Sequence, residues 1–327
     1  MRAMINRRYG DPSAVLQPAD LPRPTPGRGE VLVEVHAAAV DPGVWILITG
    51  RPPAARLAFG VRRPRQPVRG RDLAGVVVAA GPGVTAFTAG DEVYGTSGRG
   101  SFAEFTVAPV RRLARKPARL SFTEAAAIPV SGQTALDAIR AAGPLTGRRI
   151  MIIGAGGGIG AFAVQLAVAA GAHVTAVCGP GKAPLMESLG ADRVIDYTRA
   201  EIDSHGPVHD VILDTAGCRP FPLLRRALTP TGTVLLAGGG HDAPGFLGGF
   251  TRQLRAPLAG LFGRRRLRPV AGHERAAGLE EINRLVEAGR LTPVIDRTFP
   301  LTEAAAAVGY LARGHPTGKI VVTVERS

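Results

Sequence analysis

The sequence IMIIGAGGGIGAFAVQLAVAAGAHVTAVC, residues 150–178, decides the fold. An apolar run ends at Ile153, a glycine-rich turn covers 154–160, and an apolar helix is predicted to begin at Ile159. A second apolar run, 173–178, predicts another strand. A strand, a glycine loop, a helix and a strand within about 30 residues are typical of a dinucleotide-binding βαβ unit.

The glycine loop departs from the strict G-x-G-x-x-G spacing. In that register the first position is Ala155, while Gly157 and Gly160 hold the other two. Glycines let the chain turn tightly and let backbone N–H groups approach a pyrophosphate, which the positive end of the helix also attracts. The loop therefore predicts a dinucleotide site; a glycine-rich turn without a ligand is the alternative.

The end of the second predicted strand indicates which dinucleotide is bound. NAD sites place Asp or Glu there, about 20 residues beyond the loop, to bind the ribose 2′-hydroxyl. This chain instead reads Cys-Gly-Pro-Gly-Lys over 178–182. Lys182 would attract a 2′-phosphate, which an acid would repel. The sequence therefore predicts NADPH as the cofactor; an ordinary solvated lysine is the alternative.

The pattern changes along the chain. Short apolar runs bounded by Gly and Pro, such as 30–40 and 73–80, make the first ~120 residues β-rich and predict a barrel or sandwich. From residue 121, strands alternate with helices, which predicts a parallel sheet covered by helices. A last strand, 319–324, has no helix after it and suits a return to the first domain.

Composition excludes several classes of protein. The 327 residues predict about two domains, and 45% hydrophobic with 20% charged residues exclude a disordered chain. The net charge of +14 is attributed to an arginine-rich composition, because no basic stretch is interleaved with aromatics, and we expect no nucleic-acid partner. Two cysteines, Cys178 and Cys218, exclude a disulfide scaffold. With no signal peptide and no uninterrupted apolar run of ~18 residues, a cytoplasmic location is expected.

Family-specific blocks occur in order along nearly the whole chain: YGDPSAVL, GEVLVEVHAAAVDP, GRDLAGVV, GVTAFTAGDEVYG, GSFAEF, the glycine loop, LGADRVIDY, DVILDTAG, LTPTGTVLLAGG, VIDRTFPLTEAAAA and GHPTGKIVV. They resemble the zinc-independent medium-chain dehydrogenases/reductases, in the quinone oxidoreductase-like branch. The resemblance implies an α/β fold with two domains. One is a GroES-like β-rich catalytic domain, 1–122 and 270–327; the other is a Rossmann domain with a doubly wound parallel sheet, 123–269.

The resemblance also implies which residues line the nucleotide: Thr134, Gly157, Gly158, Gly160, Lys182, Tyr197, Gly238 and Gly239. Tyr197 in VIDYT resembles the tyrosine that flanks the adenosine 2′-phosphate, and Gly238 and Gly239 match glycines beside the nicotinamide. The implied reaction is hydride transfer from NADPH to a small-molecule quinone or α,β-unsaturated carbonyl.

Metal ligands of the zinc-dependent branch are missing from this chain. That branch has a cysteine in the segment that reads AAAVDPG here, and a histidine where Arg71 stands. No group of four cysteines follows Asp91, and a cationic Arg71 is a poor neighbour for a metal. We therefore expect no metal.

The candidate catalytic residues are Asp41, Trp45 and Lys319. The branch usually reads V-N-P-x-D-W where this chain has Val-Asp-Pro-Gly-Val-Trp over 40–45, so Asp41 replaces an asparagine expected near the nicotinamide ribose. Asp41 would be a general acid only in a dry pocket; an Asp-Pro turn is the alternative. Lys319 matches a family lysine that polarises a carbonyl, the alternative being a solvated lysine.

Two rival functions stay open at this point. One is a cyclase or isomerase that retains its cofactor and uses Asp41 for proton transfer; the other is a non-enzymatic NADPH-binding sensor. The segment 245–268 mixes apolar residues with arginines and is interrupted by glycines and Pro257. These interruptions argue against a single amphipathic helix and against contact with a membrane surface. A cap over the substrate cleft and a homodimer interface are the alternatives for this segment.

Overall fold

The computed structural model describes residues 1–238, 245–260, 266–314 and 316–325, without the side chains of 257–260. The chain forms two compact units. Unit 1 comprises Met1–Gln133 and the described residues from Glu274 onward, and unit 2 comprises Thr134–His273.

The strands are β1 (Arg2–Ile5), β2 (Gln17–Asp20), β3 (Glu30–Val40), β4 (Asp72–Ala80), β5 (Glu92–Thr96), β6 (Phe105–Pro109), β7 (Leu113–Arg115), β8 (Arg149–Ile153), β9 (His173–Cys178), β10 (Arg193–Asp196), β11 (His209–Asp214), β12 (Leu228–Leu236), β13 (Arg266–Pro269), β14 (Ile295–Pro300) and β15 (Lys319–Thr323). The α-helices are α1 (Pro12–Val15), α2 (Pro42–Thr49), α3 (Ala55–Phe59), α4 (Phe122–Ala126), α5 (Pro129–Ala142), α6 (Gly158–Ala169), α7 (Ala183–Ser188), α8 (Phe221–Ala227), α9 (Phe250–Gly260), α10 (Ala276–Glu287) and α11 (Ala304–Arg313).

Unit 1 is built on a mostly antiparallel sheet with the strand order β14-β15-β3-β4-β5-β7, to which β6 is added by pairing with β3. The long strand β3 alternates in its first half between buried valines and the half-exposed Glu34 and His36. Strand β15 pairs with β3 in antiparallel register, with Ile320 opposite Val40. The last strand therefore returns to the first sheet, as predicted.

Unit 2 is built on a parallel sheet with the strand order β10-β9-β8-β11-β12-β13. Numbered within the unit, this is 3-2-1-4-5-6, the doubly wound arrangement of a Rossmann domain. The predicted α/β fold with a GroES-like and a Rossmann domain is therefore confirmed. The order reverses between β8 and β11, and ligands of such sheets bind beyond the carboxyl ends of the strands at that point.

The two compact units divide between Gln133 and Thr134 and between His273 and Glu274; the domain boundaries at 122 and 270 stay a prediction. Phe122 stacks on His36 of β3 with the ring centroids 4.2 Å apart, which holds α4 in unit 1. Gly272 packs against Thr134 so closely that a Cβ on it would lie 2.3 Å from the Thr134 hydroxyl oxygen. This contact holds the residues before 274 in unit 2.

The described part of segment 245–268 contains two elements, α9 and the edge strand β13, rather than one amphipathic helix. Leu267 of β13 and Ala256 of α9 join the apolar core of unit 2. Among the described residues, no helix combines the length and the apolar character needed to cross a bilayer.

Candidate functional site

The glycine loop begins with a tight turn at Gly154, directly after β8. Gly154 has a φ of +79°, a conformation that side chains rarely adopt, and a Cβ there would lie 2.6 Å from the Thr215 hydroxyl oxygen. The N–H groups of Gly154 and Ala155 both donate to the Val177 carbonyl at 3.1 Å. The glycine that makes the turn thus stands one residue before Ala155, which explains the departure from the strict spacing.

Helix α6 begins without a side-chain cap in the described structure. Gly157 is its N-cap, and the N–H groups of the first turn, from Gly158 to Gly160, have no acceptor within the helix. A Cβ on Gly160 would lie 2.2 Å from the Gly154 carbonyl oxygen, so only glycine lets the helix pack this closely on the loop. The uncapped helix start is suited to a pyrophosphate.

Lys182 lies against the glycine loop. A Cβ on Gly156 would lie 2.3 Å from Lys182 Cδ, and Lys182 Nζ donates to the Gly156 carbonyl at 3.4 Å. Tyr197 stands beside Gly179 at the end of β9, with its hydroxyl 3.6 Å from where a Gly179 Cβ would be. The ring of Tyr197 is 44% exposed. The structure therefore brings the cationic group, the phenol and the glycine loop to the same edge of the sheet.

A carboxylate does stand near this edge, on the neighbouring strand. Asp196 ends β10 opposite Cys178. Its carboxylate accepts hydrogen bonds from the Thr198 N–H at 2.9 Å and from the Thr198 hydroxyl, and it pairs with Arg199 at 3.5 Å. These bonds, the backbone bond first, lower the pKa of Asp196. The acid is thus engaged by its own turn, and segment 178–182 carries none.

Asp214 and Arg252 form a buried ion pair at the end of β11, which the sequence analysis missed. Asp214 accepts from the N–H groups of Ala216 and Gly217, and Arg252 Nη2 lies 2.6 Å from Asp214 Oδ2. Burial raises the pKa of Asp214, and the charge of Arg252 opposes that shift. The motif DVILDTAG contains Asp214, but its partner lies in segment 245–268, where no pattern indicates the pairing.

The predicted nicotinamide-side residues are described in part. A Cβ on Gly238 would lie 2.1 Å from the Thr215 carbonyl oxygen, so the backbone of the β11–α8 loop leaves no room for a side chain. Thr215 also donates to the Ile153 carbonyl at 2.8 Å, which ties this loop to the glycine loop. Thr134 is buried on α5. Gly239 lies outside the described residues.

In unit 1, Asp41 caps helix α2. Its Oδ1 accepts from the N–H groups of Gly43 at 2.6 Å and Val44 at 3.2 Å, so the Asp-Pro turn considered for this position is present. Its Oδ2 is buried and has no hydrogen-bond partner in the described part of the chain. Trp45, one turn into the same helix, is 8% exposed and packs in the apolar core of unit 1.

Lys319 is a buried residue rather than a solvated one. Its Nζ donates to Asp72 Oδ2 at 3.3 Å and to the Ser131 hydroxyl at 3.1 Å. Asp72 is fully buried and also accepts from the Val130 N–H. Burial raises the pKa of Asp72 to about 6; the charge of Lys319 opposes the shift and that of Asp41 adds to it. Asp41 and Lys319 therefore belong to one charged cluster around Asp72.

Arg71 occupies the position at which a zinc ligand would be needed, and it is engaged elsewhere. Its Nη2 forms an ion pair with Glu274, whose other oxygen accepts from the Thr96 hydroxyl at 2.9 Å. Within residues 1–238, 245–260, 266–314 and 316–325, no group of three or more His, Cys, Asp and Glu side chains is placed to hold a metal ion. The side chains at this position do not fit a catalytic zinc.

Comparisons with known proteins identify the family of this chain. Residues 27–118 match the family described as "Alcohol dehydrogenase GroES-like domain", and residues 189–322 match "Zinc-binding dehydrogenase". The chain is 34% identical to a chloroplast envelope quinone oxidoreductase homolog of Arabidopsis thaliana, over 98% of each chain. It is 31% identical to a 2-methylene-furan-3-one reductase of Solanum lycopersicum, over 98% of this chain and 79% of the other. The solved structure of the quinone oxidoreductase from Coxiella burnetii superposes with a TM-score of 0.85 at 27% identity, covering 99% of each chain.

This chain belongs to the medium-chain dehydrogenases/reductases of the quinone oxidoreductase type. It is therefore an oxidoreductase that uses a nicotinamide cofactor.

Proposed function

We propose that this oxidoreductase uses NADPH to reduce a quinone or an α,β-unsaturated carbonyl without zinc. The observation that carries the choice of cofactor is the placement of Lys182 on Gly156 and of Tyr197 beside Gly179, on an edge where segment 178–182 holds no acid. A 2′-phosphate fits a cation and a phenol, whereas a ribose 2′-hydroxyl is normally bound by a carboxylate.

The residues of unit 2 would bind and orient the cofactor. The first-turn N–H groups of α6 suit the pyrophosphate, because they lack intrahelical acceptors at the positive end of the helix. Lys182 and Tyr197 suit the 2′-phosphate. Gly238, which has no side chain, would lie on the nicotinamide side. A bound reduced nicotinamide supplies a hydride, which is the chemistry that the protein itself does not provide.

The substrate class follows from the missing Lewis acid and from the names of the relatives. Arg71 brings positive charge where a zinc ligand would be required, and Glu274 holds it there. A quinone or an enone is already electrophilic, so hydride addition to it demands less from the protein than oxidation of a simple alcohol. Of the relatives named above, one is a homolog of a quinone oxidoreductase and the other a reductase of 2-methylene-furan-3-one, which is an enone.

We propose a positioning role for Asp41 and a polarising role for Lys319. Asp41 Oδ1 is committed to the backbone of α2, so we assign the proton that completes the reduction to solvent. Lys319 uses two of its N–H groups on Asp72 and Ser131, which leaves a third to orient a carbonyl oxygen. Trp45 would support the position of helix α2 by packing in the apolar core of unit 1.

A screen of metal-stripped protein against quinones, enones and simple ketones tests the proposal. We expect steady NADPH oxidation with the first two classes only, unchanged by added zinc. Restoration of lost activity by zinc would contradict zinc independence. Turnover without net NADPH consumption would indicate an isomerase, and cofactor binding without any turnover would indicate a sensor.

A further inference from the structure

Three apolar side chains are strongly exposed around helix α3. Leu57 is 62% exposed, Phe59 44% and Val61 61%. In the described residues of unit 1, all large hydrophobic side chains exposed to this extent lie within these five positions. Single exposed hydrophobic residues are ordinary, but a concentration of them marks an interaction surface.

The backbone beneath these side chains is held in place. The Tyr9 hydroxyl donates to the Gly60 carbonyl at 2.6 Å, and the Arg65 N–H donates to the Phe59 carbonyl at 2.9 Å. Arg56 stacks over the Tyr9 ring at 4.7 Å while its Nε donates to the Gly50 carbonyl. Because these bonds fix the turn, binding through the exposed apolar side chains does not require the backbone beneath them to become ordered.

The charge around the patch has one sign. Between Asp41 and Asp72 the sequence contains no Asp or Glu but has arginines at 51, 56, 62, 63, 65, 69 and 71. Arg62 and Arg63 are exposed, directly follow Val61, and have no hydrogen-bond or ion-pair partner in the part of the chain that the structure describes. The stretch therefore presents apolar side chains together with uncompensated positive charge.

We propose that residues 57–63 dock this protein onto the surface of an anionic lipid bilayer. Leu57, Phe59 and Val61 would enter the headgroup boundary, and Arg62 and Arg63 would bind lipid phosphates. An acid-free stretch of 30 positions in a chain with a net charge of +14 complements an extended negative field better than it complements one protein partner. The docking is independent of the proposed reaction.

Co-sedimentation of the full chain with vesicles tests this surface. We expect binding to phosphatidylcholine vesicles that contain phosphatidylglycerol, little binding to phosphatidylcholine alone, and release by high salt. The variant Arg62→Gln/Arg63→Gln should bind about 30-fold more weakly, since each basic residue contributes about 1 kcal/mol near such a surface. The variant Leu57→Ser/Phe59→Ser should lose at least about tenfold, through lost apolar burial.

Matched controls separate the patch from charge and apolarity in general. Arg111→Gln/Arg199→Gln removes the same charge from two exposed arginines outside the stretch and should bind like the wild type. Phe246→Ser/Leu254→Ser removes two strongly exposed apolar residues of unit 2, 59% and 61% exposed, and should also have no effect. The proposal is overturned if the wild type ignores anionic vesicles, or if these controls lose binding as much as the patch variants. Far-UV circular dichroism verifies that each variant is folded.

Discussion

At the scale of single residues, Lys182 gives the sharpest prediction. Its methylene chain lies on Gly156, so the ammonium is held at the loop instead of extending into solvent. We expect Lys182→Ala to raise the KM for NADPH roughly 5- to 150-fold, the equivalent of about 1–3 kcal/mol for a charge-assisted hydrogen bond. The KM for NADH should change little. An equal rise in the KM for both cofactors, measured from initial rates, would contradict the assignment of Lys182 to the 2′-phosphate.

The scarcity of lysine provides a control for that prediction. The lysines of the chain are Lys116, Lys182 and Lys319. The side chains of Lys116 and Lys319 are only 5% and 3% exposed, whereas Lys182 is half-exposed. A lysine-selective reagent should therefore modify Lys182 first, as read by peptide mass spectrometry. Adenosine 2′,5′-bisphosphate should protect it better than adenosine 5′-monophosphate.

Asp41 gives a second prediction at this scale. Asparagine keeps an oxygen that can accept from the N–H groups of Gly43 and Val44, so the cap of α2 should survive in Asp41→Asn. We expect kcat within about threefold of the wild type, the small effect of a conservative cap replacement. A fall of about 10²–10⁴ in kcat, with an altered acidic limb of the pH–rate profile, would instead identify Asp41 as the proton donor.

At the scale of elements, the ion pair between Lys319 of β15 and Asp72 of β4 joins parts of the chain that are distant in sequence. Removing one member of a buried pair typically costs about 3–5 kcal/mol, because the other charge is left buried alone. We expect Lys319→Met to lower the free energy of unfolding by about that amount. The double variant Asp72→Asn/Lys319→Met should lose less, because an asparagine in place of Asp72 carries no charge and can still accept from the Val130 N–H.

Urea unfolding followed by the fluorescence of Trp45, the single tryptophan of the chain, measures this effect in unit 1. If Lys319→Met has the same free energy of unfolding as the wild type, the pair contributes nothing to stability. The double variant also separates the two roles of Lys319. If Lys319 polarises the substrate carbonyl, kcat stays low in the double variant even where stability is regained.

Elements with a local pattern could be predicted from the sequence, and those that depend on tertiary contacts could not. The glycine loop, β9 and α11 follow from apolar periodicity and from glycines next to each other in the chain. Strand β13 was missed because only Leu267 of its four residues is buried, and its pairing with β12 supplies the rest. The cluster of Asp72 and Lys319 was missed for the same reason, since the sheet of unit 1 creates their proximity.

At the scale of the whole molecule, two buried groups make stability depend on pH in opposite directions. In unit 1, burial raises the pKa of Asp72 to about 6. Between pH 6 and its unfolded pKa of about 4, the folded state holds a proton that the unfolded chain releases, so acidification through this window favours folding. In unit 2, the titration of His209 changes stability in the opposite direction over an overlapping pH range.

His209 begins β11, is 5% exposed, and its Nδ1 has no hydrogen-bond partner among the described residues. Burial first, and then the charges of Arg149 and Arg193, lower its pKa to about 4. The unfolded chain binds a proton on this histidine below pH of about 6.5, whereas the folded state does not until about 4. The free energy of unfolding therefore decreases by up to roughly 3 kcal/mol as the pH falls from 6.5 toward 4.

We expect His209→Leu to remove this loss. Chemical unfolding followed by far-UV circular dichroism at several pH values between 7 and 4 should show a flatter decline for the variant than for the wild type. His173→Gln is the matched control, because that histidine begins β9 of the same sheet with its side chain 65% exposed. An unchanged decline in His209→Leu would mean that acid sensitivity comes instead from the net positive charge, which grows as carboxylates are protonated. Since that repulsion is screened by salt and the desolvation of a buried histidine is not, repeating the series at high ionic strength distinguishes the two causes.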